Sequence, residues 1–159
     1  WECTAKSCLG VQVPPPEVRL SLEQWSAVPQ IDRPAIVDCQ AVDGEAVVPG
    51  VVAQACGRAA YTYIESAIHA ALRREVDAVT PAPITKEALH LAGVPYPGHT
   101  EIFAALSGAD HACMMLASDE ITTSFVTTHI GIADVSTGLT ESRVLDVIEL
   151  TENAMRLMR

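Results

Sequence analysis

The sequence has 159 residues, about the size of one domain, and 49% of them are hydrophobic, which is enough for a core. Its formal net charge of −10 argues against binding to nucleic acid or to an anionic membrane surface, because both favour a basic face. No apolar run approaches the ~20 residues of a membrane helix, and the first residues lack the basic and apolar regions of a signal peptide.

The cysteines favour a reduced, cytoplasmic protein. There are five, an odd number, and none forms a CxxC pair, which argues against a disulfide framework or a zinc knuckle. Cys3 and Cys8 leave a metal or redox pair open as a minor alternative. Cys39 and Cys113 lie in apolar runs and are expected to be buried as small hydrophobic residues.

The chain divides into an N-terminal segment of uncertain structure, residues 1–33, and an α/β region, residues 34–159. The first segment contains a stiff break at Pro14–Pro16 and the possible start of a short helix near Ser21. Residues 35–39 then read as a buried strand. A long helix is predicted from about Pro49 to Glu75, with His69 on its solvent face near the C-terminal end.

Lys86 is the first candidate for substrate binding. A short strand is predicted at residues 77–80 and is closed by Pro81–Pro83, since proline cannot join a central ladder. Lys86 then opens a short helix, and a lysine just past a strand end can reach a bound phosphate. A solvated helix lysine is the alternative, and it is slightly preferred on chemistry alone.

The stretch from Ile84 to Glu101 ends in a Gly-Pro-rich turn that presents His99 and Thr100 where a helix can begin. A helix start exposes unpaired N–H groups and the positive end of a dipole, which suits a phosphate or a carboxylate. The alternative is an ordinary capped turn with Thr100 as the N-cap.

His129 is the candidate metal ligand. Strands are predicted at residues 112–117 and 123–127, and the second ends in Thr127-Thr128-His129; the last helix runs from Glu141 to about Met158 with Thr140 as its N-cap. An imidazole at a strand end suits a borderline divalent ion. A metal site needs about three protein ligands, however, so the residues alone favour an ordinary histidine.

The alternation of buried strands and helices predicts an α/β fold, with a mostly parallel or mixed sheet and helices on both faces. Ligands of such sheets collect beyond the carboxyl ends of the strands. Four candidates are predicted to follow strands in this way and to lie on the same edge of the sheet: Lys86, His99, Thr100 and His129.

The stretch PITKEALHLAGVPYPGHTE closely resembles the signature of the 4-hydroxythreonine-4-phosphate dehydrogenase family of vitamin B6 synthesis, and that of its sugar-acid-phosphate dehydrogenase relatives. The resemblance continues through Met114–Ala117 and Val126–His129. It runs from about Pro34 to the C-terminus and corresponds to about the middle half of a family subunit.

The resemblance implies part of an isocitrate/isopropylmalate dehydrogenase-like fold and NAD-dependent, divalent-metal-assisted oxidation of a phosphorylated hydroxy acid such as 4-phosphohydroxy-L-threonine. Decarboxylation follows in the vitamin B6 branch. The ion would be zinc, magnesium, cobalt or manganese, and the family is a homodimer with a shared site. At the matching positions, His99 and Thr100 would bind substrate and His129 would be one of three metal histidines.

Several family elements have no counterpart in this sequence. They include the loops that carry the other two metal histidines, the glycine-rich opening motif and the region that binds the nicotinamide cofactor. We therefore expect residues 1–159 by themselves not to oxidise a phosphorylated hydroxy acid at a useful rate. The alternative reading is a non-catalytic fragment or paralogue that folds, dimerises or binds a phosphorylated acid without turnover.

Overall fold

The computed structural model describes residues 18–28, 31 and 33–158, which form helices and short strands in two compact units. The first unit is Trp1–Pro49 and the second is Gly50–Arg159. None of the helices that the structure describes is both long and apolar enough to cross a membrane.

The first unit is a small parallel β-pair with a helix. Strand β1 (Val18–Ser21) pairs in parallel with β2 (Ala35–Asp38), and helix α1 (Leu22–Ala27) lies between them in the chain; a 3₁₀ turn follows at Gly44–Ala46. Ser21 and Gln24 cap α1 reciprocally: the Gln24 amide donates to Ser21 Oγ at 3.1 Å, and the Ser21 amide donates to Gln24 Oε1 at 2.8 Å. The predicted helix start at Ser21 is therefore confirmed.

Three predictions for this part of the chain are not settled by the structure. The break at Pro14–Pro16 and the cysteines Cys3 and Cys8 lie outside the described residues. The division between residues 1–33 and 34–159 also stays a prediction.

The core of the second unit is built by three helices: α2 (Gln54–Leu72), α3 (Lys86–Leu91) and α4 (His99–Ser107). One cluster of buried side chains joins them, with Ile64 and Ile68 from α2, Leu89 from α3 and Ile102 from α4. Leu89 and Ile102 are 1% and 0% exposed, so the two short helices that carry the predicted substrate residues are fixed to α2 by their own core side chains.

Helix α2 is shorter than the predicted helix at both ends because the flanking backbone turns left-handed. Gly50 has φ +80° and Arg74 has φ +60°, and neither value continues a right-handed helix. The buried face holds Ile64 and Ile68, and His69 is exposed as predicted.

The second half of this unit is a β-hairpin covered by a helix. Strand β3 (Met114–Ala117) pairs antiparallel with β4 (Thr122–Phe125), followed by a 3₁₀ turn (Ile132–Asp134), the four-residue helix α5 (Val135–Gly138) and the long helix α6 (Glu141–Leu157). Helix α6 contacts β4 through Thr151, whose hydroxyl donates to the Val147 carbonyl at 2.6 Å and is hydrogen-bonded to Ser124, with the two hydroxyl oxygens 2.7 Å apart. The predicted N-cap of α6 is confirmed: the Arg143 amide donates to Thr140 Oγ1 at 3.1 Å.

The sheet differs in detail from the prediction. The described strands form one parallel pair and one antiparallel pair rather than one continuous sheet. Residues 77–80 are irregular, and no described strand pairs with them. Pro81 and Pro83, which follow them, have no backbone N–H to donate to a neighbouring strand. Cys39 and Cys113 are half-buried free thiols, not fully buried ones.

Candidate functional site

The candidate site forms around the start of α4. This helix begins at His99 with Gly98 as its N-cap, so the alternative with Thr100 as N-cap is wrong. The first helical hydrogen bond joins the Ile102 amide to the Gly98 carbonyl at 3.2 Å. The amides of His99, Thr100 and Glu101 therefore have no acceptor within the helix, and the positive end of the dipole lies at His99.

Lys86 reaches this helix start from α3. A Cβ built on Gly98 would lie 3.8 Å from the Cε atom of Lys86 and 3.4 Å from Glu101 Oε2. The lysine stem and the Glu101 carboxylate thus lie on the side of buried Gly98 where a side chain would project, and the Lys86 side chain is exposed. Lys86 therefore lies beside Gly98, the residue before His99 and Thr100 in the chain. Irregular backbone, and not the predicted strand, precedes both helices.

His99 has an unsatisfied buried atom. Its Nε2 is buried and finds no hydrogen-bond partner within the described part of the chain. An unpaired buried polar atom costs about 1–3 kcal/mol, so a ligand atom that pairs with this nitrogen would relieve the cost. The chemistry available here is a hydrogen bond from an imidazole beside free backbone amides.

An open cavity of about 380 Å³ lies next to this cluster. It is lined by Lys86, His90 and the turn residues 94–97. This volume falls within the range of small-molecule sites. Neither the spacing of His90 nor its neighbours in sequence predict that it lines a cavity.

The turn that lines the cavity is held to α2 by an aromatic pair. Tyr96 stacks on Tyr61 with ring centroids 6.5 Å apart and an interplanar angle of 13°. The turn itself closes α3: Gly93, at φ +74°, donates its amide to the His90 carbonyl at 2.9 Å. These contacts fix the loop between the two helices that carry the candidate residues.

Tyr61 has a raised pKa. Partial burial is the largest cause, followed by the negative charge of Glu65, the neighbouring Tyr96 and the hydrogen bond to Glu65. All four favour the neutral phenol. The stability that Tyr61 supplies is therefore fully present below the ordinary tyrosine pKa of 10.0 and is lost as the pH rises through the higher value of the folded state.

We expect Tyr61→Phe to remove a phenol that ionises above the ordinary tyrosine pKa. The ultraviolet phenolate absorbance, followed as the pH rises, should show a late component above the ordinary tyrosine pKa in the wild type, and Tyr61→Phe should lose that component. Tyr63→Phe, at a tyrosine that is 46% exposed, is the control and should keep the late component. A late component that survives in Tyr61→Phe would contradict the assignment.

His129 lies in a loop, four residues after β4 ends at Phe125. The expectation that it directly follows a strand is wrong, because the ladder stops before Val126. Its backbone is left-handed, with φ +59°, a conformation that costs a non-glycine residue about 1–3 kcal/mol. The side chain is exposed and has no hydrogen bond or ion pair to another described residue.

The imidazole of His129 is therefore available as a single metal ligand. Within residues 18–28, 31 and 33–158 there is no group of three or more His, Cys, Asp or Glu side chains placed to hold an ion. His129 fits a metal site only if the other ligands come from elsewhere. That His129 shares one site with His99 stays a prediction.

Two features of this unit carry no local sequence signal. Gly57 allows α2 and α3 to touch, and the Arg143 guanidinium bonds carbonyls 17 and 31 residues away. Each feature depends on a contact between residues that are far apart in the sequence.

Comparison with known proteins gives consistent matches. The family described as "Pyridoxal phosphate biosynthetic protein PdxA" matches residues 9–159, an earlier start than residue 34. A D-threonate 4-phosphate dehydrogenase of Pectobacterium atrosepticum is 38% identical over 77% of this chain and 40% of its own length. A 4-hydroxythreonine-4-phosphate dehydrogenase of Beijerinckia indica is 51% identical over 54% of this chain and 25% of its own length.

A solved structure matches as well. The crystal structure of the 4-hydroxythreonine-4-phosphate dehydrogenase of Klebsiella pneumoniae is 31% identical, with a TM-score of 0.74 over 87% of this chain and 42% of that one. The predicted α/β class and the isocitrate/isopropylmalate dehydrogenase-like fold are confirmed. The chain spans about two fifths or less of the length of these relatives.

Proposed function

This chain belongs to the family of the pyridoxal phosphate biosynthetic protein PdxA, and on that premise we propose that it carries the substrate-binding part of a dehydrogenase for a phosphorylated hydroxy acid. The relatives support the substrate class, because their names specify 4-hydroxythreonine 4-phosphate and D-threonate 4-phosphate. Both are hydroxy acids with a terminal phosphate.

The start of α4 would bind the anionic end of the substrate. The free amides of the first turn donate to oxygen, the helix dipole favours negative charge, and the Thr100 hydroxyl can donate as well. The observation that carries this proposal is the buried, unpartnered Nε2 of His99 at that same turn. A substrate oxygen or hydroxyl would supply the partner that the protein lacks.

Lys86 would supply the positive charge. With 10 Lys and Arg against 20 Asp and Glu, the overall field of the chain repels an anion, so binding needs local cationic groups and amides. Lys86 is placed beside Gly98, and its ammonium is exposed and free to follow a phosphate. The alternative is that Lys86 is a solvated lysine that binds no ligand. The Lys86→Gln experiment below distinguishes the two interpretations.

His129 would hold a divalent ion, which the family resemblance gives as zinc, magnesium, cobalt or manganese. When bound, such an ion polarises a coordinated hydroxyl and lowers its pKa. His129 supplies one neutral imidazole for it, from an exposed and unpartnered side chain. In the vitamin B6 branch, the oxidised product is a β-keto acid, which loses carbon dioxide.

The proposed oxidant is NAD, again from the family resemblance. The described residues contain no glycine-rich strand–turn–helix of the kind that cradles a dinucleotide, and we assign none of them a part in hydride transfer. A homodimer with a shared site and a cytoplasmic location belong to the same proposal. The non-catalytic phosphorylated-acid binder remains the second candidate, because no three-ligand metal cluster lies among residues the structure describes.

The reaction is tested in the natural protein that carries these residues. NADH absorbance is followed with 4-phosphohydroxy-L-threonine or D-threonate 4-phosphate, NAD and each of the four ions. Metal-dependent NADH formation that needs the phosphate group supports the dehydrogenase. Saturable binding of the same acids without NADH formation would instead favour the non-catalytic binder.

We expect Lys86→Gln to weaken binding of 4-phosphohydroxy-L-threonine about tenfold, or ~1.4 kcal/mol, because it removes a charge-assisted contact to phosphate. Binding of the unphosphorylated 4-hydroxy-L-threonine should not change. Isothermal titration calorimetry with the purified chain measures both affinities.

The control for this change is Arg74→Gln, at an exposed residue just past the end of α2, which removes the same unit of charge. It should leave both affinities within about twofold, a difference of less than ~0.5 kcal/mol. Equal losses in the two variants would mean that Lys86 acts only through the net charge of the protein.

A further inference from the structure

We propose that Arg143 is a positioning residue for His129: its guanidinium fixes the end of the β3–β4 hairpin from which the His129 loop departs. The inference rests on the proposed function, since it gives His129 the role of a metal ligand. Arg143 lies on helix α6 and would contact neither the substrate nor the ion.

The guanidinium closes the open end of the hairpin. Arg143 Nη2 donates to the Ala112 carbonyl at 2.8 Å, and Nε donates to the Val126 carbonyl at 3.1 Å. The last ladder pair is Met114 with Phe125, so both carbonyls lie just beyond the last pair. The planar guanidinium of arginine offers two donors at a fixed separation, and here they replace the next hydrogen bonds between the two strands.

The Arg143 backbone is itself anchored. Its amide donates to the side chain of Thr140, the N-cap of α6, at 3.1 Å. Farther along the same helix, Thr151 is hydrogen-bonded to Ser124 of β4, with the two hydroxyl oxygens 2.7 Å apart. The half-buried guanidinium therefore projects from a fixed helix start toward a hairpin that α6 holds at a second point.

The loop is also held beyond Val126. Methyl groups of Thr127 and Ile130 each lie 3.5 Å from the position that a Cβ would take on Gly138 of α5. His129 lies between these two residues in the left-handed conformation, with φ +59°. The contacts of Thr127 and Ile130 thus hold His129, the residue between them, in an unfavourable backbone conformation. By fixing this backbone, they also set the direction of the exposed His129 imidazole.

The test uses Mn²⁺ and the natural protein that carries these residues. Mn²⁺ affinity is measured from paramagnetic broadening of the histidine ring resonances, with the His129 signal assigned from its loss in His129→Ala. We expect Arg143→Gln to weaken Mn²⁺ binding about 10- to 100-fold, the range found for groups that orient a metal ligand. Arg143→Lys, which keeps one donor to a carbonyl, should recover part of the affinity.

Two matched variants on or beside α6 separate positioning from general stability. Arg156→Gln removes an exposed arginine paired with Glu152 and should leave Mn²⁺ affinity unchanged. Met155→Ala removes a half-buried side chain more than three turns farther along the same helix and keeps both the guanidinium and its Thr140 anchor, so it should lower the melting temperature with little loss of Mn²⁺ affinity. A loss in Met155→Ala as large as that in Arg143→Gln would overturn the positioning role.

A metal-free readout keeps the two proposals distinct. In the apo protein, Arg143→Gln should shift the His129 ring and backbone resonances, whereas Met155→Ala should leave them in place. If His129→Ala does not change Mn²⁺ affinity, His129 is not a ligand and the metal part of the proposed function fails. If His129→Ala abolishes binding while Arg143→Gln changes neither the resonances nor the affinity, only the positioning role is overturned.

Discussion

Gly57→Ala is expected to destabilise the chain by about 3 kcal/mol or more, through overpacking of backbone against backbone. A Cβ at this position would lie 1.9 Å from the Ala88 carbonyl oxygen, 2.3 Å from its carbon and 2.9 Å from the Leu89 nitrogen. None of these atoms can rotate away, so α3 must move off α2. Alanine favours a helix by only about 1 kcal/mol over glycine, so the clash wins.

The displacement should also reach the candidate site. Leu89, 1% exposed in the core, and Lys86, beside Gly98, both lie on α3. We expect thermal unfolding, followed by circular dichroism, to show a melting temperature lower by roughly 6–12 °C for a chain of this size. Lys86 should lose its place at the same time, with weaker binding of the phosphorylated acid.

The matched control is Gly138→Ala in α5. There the new methyl would meet only the side chains of Thr127 and Ile130, at 3.5 Å, which is ordinary contact. Its stability should stay within about 1 kcal/mol of the wild type, which covers the ordinary difference between glycine and alanine in a helix. A Gly57→Ala protein as stable as this control would mean that α2 and α3 do not approach as closely as described.

The parts of this fold that the sequence predicts are those governed by neighbours in the chain. The cap at Thr140 and the helix after it follow from a hydroxyl and a periodic stripe within one segment, and both are present. The capping box at Ser21 is equally local. The GHTE stretch is specific enough to identify the family before any contact is known.

The parts that escape prediction depend on distant contacts. The close approach at Gly57 is set by α3, some 30 residues later, and the two carbonyls bound by Arg143 lie at the open end of the hairpin, 17 and 31 residues before it in the chain. The left-handed backbone of His129 goes against the usual preference of a histidine, and it lies between Thr127 and Ile130, whose methyl groups approach Gly138 of α5. Residues 77–80 show the reverse case: a good strand pattern without a described strand to pair with.

Replacing both His99 and Thr100 by alanine is expected to cost about 100-fold in affinity for a phosphorylated hydroxy acid. Hydrogen bonds to a charged group contribute about 1.5–3 kcal/mol each, and the double variant removes two side-chain donors while leaving the backbone amides. We expect His99 to account for a large part of this loss of affinity, because without ligand its buried Nε2 has no partner among the described residues.

The fold should tolerate this change. His99 and Thr100 are only half-buried and head a helix whose core contact is Ile102. The control is the double variant Thr62→Ala, His69→Ala, which removes the same two side-chain types from α2. It should bind the acid as the wild type does, and the melting temperatures of both double variants report any structural loss.

Calorimetric titration of 4-phosphohydroxy-L-threonine into the wild type and the His99→Ala, Thr100→Ala double variant tests the claim that this helix start binds the substrate. We predict an affinity about 100-fold lower in the double variant, or ~2.7 kcal/mol, with a melting temperature close to that of the wild type. Equal affinity in the two folded proteins would contradict the claim and place the phosphorylated acid elsewhere.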